Sequence, residues 1–324
     1  MKVCIYGAGA IGGFVGAKMA MAGADVSLVA RGPHLRAMQE NGLRLRMDGQ
    51  EHTTQVRATD DPATLGPQDY IFVALKAHSI PGVVDTMQPL LGNGTSIVTA
   101  VNGVPYWYFH KHGGPLEGTN LRSIDPGGTQ WRELGPERAI GCIVYPATEV
   151  TEPGVIQHVY GDKFPIGEPD GTTRPRTQAF SDLMAAAGLR APVMPNIRDE
   201  LWLKLWGNLC FNPISALTHG TLEMIAGNPA TRAVAKSMML EAQAIGEKLG
   251  VGFRVDVERR INGAGAVGAH KTSMLQDLER NRAMEIDPLV RVVQELGQLP
   301  GLPPPTIDVV LALVDQRAHV AGLN

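Results

Sequence analysis

Three cysteines, Cys4, Cys142 and Cys210, are too few and too widely spaced for a disulfide framework or a zinc cluster, and each lies in an apolar run. Inert core packing in a reducing compartment is their expected role. Strong charge of either sign is also missing. A formal net charge of −3 gives no electrostatic reason to expect nucleic acid or an anionic membrane as partner. No window approaches the roughly 20 apolar residues that cross a bilayer. Internal repeats, heptad runs and low-complexity segments are absent, which excludes solenoids and coiled coils. What remains, 44% apolar and 19% charged over 324 residues, is the balance of a globular protein long enough for two domains, with a small molecule as its expected ligand.

Residues 1–24 share an apolar stretch and small residues with signal peptides. Glycines at 7, 9, 12, 13 and 16 interrupt the stretch and Lys18 charges it, so no signal peptide is expected and a cytoplasmic location is. The first half alternates strand and helix signals: KVCIY, a small-residue helix, DVSLVA, a second helix from about Pro33, then YIFVAL and TSIVTA. Such alternation predicts a parallel sheet with helices on its faces. LRLRMDGQEHTTQVRA, from Leu43, predicts a hairpin turning at Asp48-Gly49. High Gly and Pro density from Gly113 to Gly135 predicts a long surface excursion, after which strand-like pieces return at AIGCIVYPA, VIQHVYG and KFPIGE. Beyond about Pro195 the pattern is helical. Asn196 is a candidate N-cap, and further helices are predicted over 230–249, 255–262, 272–282, 286–299 and 306–321.

GAGAIG, comprising Gly7, Ala8, Gly9, Ala10, Ile11 and Gly12, follows an apolar strand and opens a helix, the context in which the pattern predicts a dinucleotide site. Gly7 permits the tight turn, Gly9 the close approach of backbone to pyrophosphate, and Gly12 tight helix-to-sheet packing. An NAD site needs a carboxylate at the end of the second strand, yet DVSLVAR ends in Ala30 and Arg31. A guanidinium at that tip suits a 2′-phosphate, so NADPH is the expected cofactor, with Arg36 or Lys76 as additional contacts. The competing reading makes Arg31 a solvated loop cation.

In LWLKLWGNLCFNP, from Leu201, the only polar side chains are Lys204, Asn208 and Asn212, each four residues after the last. On a helix they form one polar stripe, predicted to be buried. A lysine held beside two amides can stabilise a developing alkoxide and then protonate it, which is the chemistry that follows hydride delivery to a ketone. The alternative is a structural polar seam. Pro213 removes a helical donor, and so either frees the Leu209 carbonyl or kinks the helix. His110 and His112, two apart in a glycine-bounded segment, lack the spacing of a metal site, and no metal is expected.

GAGAIGG, LKAHS around Lys76, VNGV around Asn102, ELWLKLWGNLCFNPISAL around Lys204 and TSMLQDLERNRAMEID from Thr272 to Asp287 together resemble the ketopantoate reductase family, in order over nearly the whole chain. The resemblance implies NADPH-dependent reduction of 2-dehydropantoate to (R)-pantoate, a step toward pantothenate and coenzyme A, with Lys204 as general acid. It implies substrate bound between a Rossmann-type domain and a helical domain. It also carries Asn102, Asn208, Asn212, Ser273 and Glu285 into substrate contact, Ser273 as the carboxylate contact and Glu285 as the essential acid near the substrate hydroxyl, and places Asn102 and Lys76 beside the cofactor. Two features depart from the family. Thr218 or His219 stands where many members have a further asparagine, and Asn102 is followed by the aromatic run Tyr106 to Phe109, which either packs a core or narrows the pocket.

The expected architecture is therefore α/β: a Rossmann-type doubly wound sheet domain over 1–195 that binds NADP, followed by an all-helical C-terminal domain over 196–324 that carries substrate and catalysis. Two alternatives stand beside it: a reductase of another branched or bulky 2-oxo acid, and a non-catalytic NADPH-binding regulator. A homodimer is the expected assembly.

Overall fold

The computed structural model describes residues 1–323, which divide into two compact units. The first comprises Met1–Val101, Pro105–Asn120 and Gly127–Ile197; the second comprises Asn102–Val104, Leu121–Pro126 and the described residues from Arg198 onward. Two short stretches of the first half thus belong to the helical unit, so no single boundary separates the two.

In the first unit, β1 (Lys2–Tyr6), α1 (Ala10–Met21), β2 (Asp25–Val29) and α2 (Gly32–Asn41) lead into a hairpin, β3 (Leu43–Met47) and β4 (Gln50–Thr54). The hairpin turns at Asp48 and Gly49, both at positive φ. β5 (Arg57–Thr59), β6 (Tyr70–Val73), a single turn α3 (Val84–Met87), β7 (Ser96–Thr99), β8 (Ala139–Cys142), β9 (Ala147–Glu152), β10 (Val155–Tyr160), β11 (Ile166–Gly167) and α4 (Pro175–Ala186) follow. The main sheet has the order β11-β8-β7-β6-β1-β2-β5, parallel except for β11. Its chain order reverses at β1, which is the switch point where ligands of doubly wound sheets bind. β1, β6 and β7 are buried almost throughout, as expected for strands covered on both faces. A second sheet, β4-β3-β10-β9, joins the hairpin to two further strands, of which β9 has no clear signal in the sequence.

The second unit is helical: α5 (Ile197–Thr218), α6 (Leu222–Gly227), α7 (Pro229–Lys248), α8 (Val257–Gly265), α9 (Ser273–Glu279), α10 (Val292–Gln298) and α11 (Pro305–Val320). α9 is shorter than the sequence pattern predicts. Thr272, whose hydroxyl accepts from the Leu275 N–H, caps it. The helix predicted over 286–299 is continuous over 286–298, with its first stretch, Asp287–Arg291, wound as a π-helix that runs directly into α10. α5 continues unbroken through Pro213.

The Gly113–Gly135 segment is a surface excursion only at its start, where residues 113–120 are exposed or half-buried, and then turns inward. Leu121, Ile124, Asp125, Gln130 and Leu134 are all buried. Glu295 explains part of this. Its carboxylate accepts from the Arg122 and Ser123 N–H groups at 2.7 and 3.0 Å and from the Ser123 hydroxyl, pinning Leu121–Pro126 onto the helical unit. The three cysteines are free and buried, and burial pushes the Cys4 thiol up to about 12. Among the described residues no helix is long and apolar enough to cross a membrane.

Candidate active site

The turn between β1 and α1 meets the requirements of a phosphate cradle. Gly7 adopts φ +98°, which side-chain-bearing residues rarely reach. Gly9 is exposed, and a β-carbon there would meet nothing within 4 Å, so this is where a ligand can come up against bare backbone. At Gly12 a β-carbon would fall 2.1 Å from the Gly7 carbonyl oxygen, so only glycine lets α1 start this close to the strand. Ala8 is buried, and its N–H donates to the Val29 carbonyl at the end of β2. Ala10 and Ile11 form the first turn of α1, which has no side-chain cap and no acidic residue to compete with an anion. These residues fit a dinucleotide pyrophosphate. Arg31 occupies the N-cap of α2, exposed, and no described residue engages its guanidinium. Lys76 lies half-buried beyond the end of β6.

The second cluster lies in the helical unit. Two buried tryptophans orient α5: Trp206 Nε1 donates to the Met239 carbonyl at 2.7 Å, and Trp202 and Trp206 both pack on Phe253. At Gly207, between Lys204 and Asn208, a β-carbon would lie 1.9 Å from the Arg260 guanidinium, so the bare backbone lets that side chain lie against α5. With its apolar side fixed, the helix presents Lys204, whose Nζ donates to Asn102 Oδ1 at 2.8 Å. Asn102 Nδ2 donates in turn to Glu285 Oε2 at 3.0 Å. Ammonium, amide and carboxylate form one chain of charge-assisted hydrogen bonds, with each charge polarising the amide in the same sense. The VNGV loop is held by the Val104 N–H, which donates to the Pro288 carbonyl at 3.2 Å. Gly103 and Pro288 thus brace Asn102, a function that neither residue's type announces.

The polar stripe is less buried than its spacing predicts. Asn212 is 4% exposed, but Lys204 and Asn208 are only half-buried. The stripe borders accessible space instead of facing a packed core, as side chains that meet a ligand must. Asn212 Nδ2 reaches Ser273 Oγ at 3.4 Å, a long contact, with Ser273 itself exposed at the start of α9. No described residue engages the Asn208 amide. The aromatic run belongs to a core: Tyr106, Trp107, Tyr108 and Phe109 are buried, and Trp107 Nε1 donates to Thr99 Oγ1 at 2.8 Å. His110 and His112 pack against Trp131 and Phe109. His219, at φ +57°, lies exposed just past the end of α5.

Residues 3–171 match the family model "Ketopantoate reductase PanE/ApbA", and residues 196–318 match its C-terminal counterpart. The chain belongs to the ketopantoate reductase family. A relative from Mesorhizobium japonicum named 2-dehydropantoate 2-reductase is 60% identical over 323 residues, covering 99% of each chain. A crystal structure from Ralstonia solanacearum is 41% identical with a TM-score of 0.96, covering 100% of this chain and 99% of that one. The ternary structure of D-mandelate dehydrogenase with NADH and anilino(oxo)acetate, at 18% identity, shares the fold, with a TM-score of 0.84 and full coverage of both chains.

Proposed function

We propose that this protein reduces 2-dehydropantoate to (R)-pantoate with NADPH, and that Lys204 is the general acid. The observation that carries this reading is the Lys204–Asn102–Glu285 hydrogen-bonded chain on the family's lysine helix. The Rossmann-type unit binds the cofactor: the turn Gly7–Gly12 and the start of α1 hold the pyrophosphate, and Arg31 and Lys76 the 2′-phosphate. When bound, NADPH supplies the hydride.

Residues 196–324 carry the substrate and the proton. As the ketone becomes an alkoxide, the Lys204 ammonium stabilises the developing charge and then transfers a proton from Nζ to that oxygen. One of the three lysine donors is committed to Asn102, which fixes the direction in which the amine points. Glu285, two hydrogen bonds away, favours the ammonium and accepts from a substrate hydroxyl. Asn208 and Asn212 orient the substrate through amides that both donate and accept, and Ser273 donates to its carboxylate. We place the protein in the cytoplasm as a homodimer.

Because D-mandelate dehydrogenase shares the fold, the runner-up reading is a reductase of another bulky 2-oxo acid. Steady-state NADPH oxidation with 2-dehydropantoate and a panel of branched and aromatic 2-oxo acids tests both. The expected result is a kcat/KM at least about tenfold higher for 2-dehydropantoate, the order of discrimination a shaped apolar pocket provides. A higher value for another acid would reassign the substrate, and no NADPH oxidation with any acid would favour a non-catalytic regulator.

A further inference from the structure

We propose that His34 is a positioning residue for the cofactor: its imidazole ties the glycine-rich turn to the start of α2, holding the two phosphate contacts of NADPH at a set separation. The inference rests on the NADPH reading above and adds to it a residue that touches neither phosphate.

His34 lies in the first turn of α2, three residues after Arg31. The Gly154 N–H donates to its Nδ1 at 2.9 Å, so Nδ1 carries no proton. The neutral ring then bears its hydrogen on Nε2, which donates to the Ala8 carbonyl at 2.8 Å. Both ring nitrogens are thereby used, one toward the phosphate turn and one toward the β9–β10 turn. Burial lowers the His34 pKa, which keeps the ring in the neutral form that this pattern needs.

Each end of the bridge is anchored. Gly154, at φ +76°, lies so close to α2 that a β-carbon would come 2.9 Å from the Ala37 methyl, and its carbonyl accepts from the Arg44 N–H on β3 at 2.9 Å. Ala8 is held from two sides, by its N–H to Val29 at 3.0 Å and by its carbonyl to His34, and the open Gly9 follows it directly. Two paths therefore lead from the pyrophosphate turn to Arg31: the Ala8 N–H to the end of β2, and the Ala8 carbonyl through His34 and one turn of helix. Without the imidazole, the turn keeps its Gly7 and Ala8 N–H bonds to the Val29 carbonyl at the end of β2, but it loses its side-chain tie to α2 itself. A dinucleotide that must reach both points loses the benefit of preorganisation.

The test is direct binding of NADPH and of NADH, by titration without ketoacid, to the wild type, His34→Ala and His34→Gln. Glutamine offers one donor and one acceptor that can replace the two ring nitrogens. His34→Ala is expected to weaken NADPH binding roughly tenfold, the scale of losing one or two hydrogen bonds that hold a site. NADH, which lacks the phosphate for Arg31, should lose less, and His34→Gln should stay within about twofold of the wild type for both. Should His34→Ala fail to fold, His34→Asn, too short to span both partners, carries the same expectation. NADPH affinity unchanged in the folded Ala or Asn variant would overturn the proposal, as would a folded Gln variant that loses as much. A wild type that binds neither nucleotide would instead overturn the cofactor assignment, and this inference with it.

Discussion

A β-carbon on Gly103 would come within 2.0 Å of the Pro288 carbonyl oxygen, and Gly103 already sits at φ +82°. The loop that carries Asn102 therefore presses its backbone against the segment that follows Glu285. The two partners of the Asn102 Nδ2–Glu285 Oε2 bond are fixed from behind by this contact. Gly103→Ala is expected to shift Asn102 and reduce kcat about a hundredfold, the usual consequence of displacing a catalytic array by about 1 Å. Steady-state kinetics of the folded variant check it, and wild-type kcat would show that the contact does not set Asn102.

Arg31→Ala separates the two readings of that residue. If the guanidinium holds the 2′-phosphate, KM for NADPH should rise about tenfold or more, as for loss of a charge-assisted hydrogen bond, while KM for NADH stays nearly constant. Equal changes for both cofactors would return Arg31 to a solvated cation.

Trp107 tests the assignment of the aromatic run to a core. The ring lies against Gly141, where a β-carbon would come 2.8 Å from Trp107 Cζ2, and it is 1% exposed. Trp107→Ala should destabilise the protein by about 3–5 kcal/mol, the range for truncating a buried tryptophan. Denaturant unfolding measures this; a change below about 1 kcal/mol would mean the side chain is not core.

Acid sensitivity has a definite sign. Burial lowers the pKa of His34, against the opposing pull of the Ala8 carbonyl, and burial followed by Lys111 lowers that of His110. A histidine lowered by folding takes up protons more readily in the unfolded chain. Its contribution to stability is intact above the unfolded value near 6.5 and is lost as the pH falls toward the folded value. The melting temperature of the cofactor-free protein should drop between about pH 7.5 and pH 5.5, and by less in His34→Gln. An identical drop in the variant would remove His34 from the account.

Features governed by neighbours in the chain were legible in the sequence. Gly7, Gly9 and Gly12 announce the cradle because each answers a local need: a positive φ, an open backbone or a close approach. The four-residue spacing of Lys204, Asn208 and Asn212 places them on one helix face without reference to anything else. Long-range partnerships were hidden. Asn102 meets Lys204 and Glu285 across 102 and 183 residues, and only the family resemblance brings Asn102 and Glu285 forward. Gly and Pro density marks Gly113–Gly135 as non-repetitive but says nothing of burial, which for Leu121–Pro126 depends on a remote carboxylate, Glu295, satisfying backbone donors there. His34 looks like any polar residue in the first turn of a helix. Its two partners are the Ala8 carbonyl and the Gly154 amide, backbone groups that no side-chain pattern reveals.

The central claim is that Lys204 supplies the proton, and the most direct measurement is turnover of 2-dehydropantoate with NADPH by folded Lys204→Ala. The expected result is a fall in kcat of about two to four orders of magnitude, the scale of losing a general acid, with the dissociation constant of NADPH unchanged. A kcat within about threefold of the wild type would contradict it and place the proton donor on another residue.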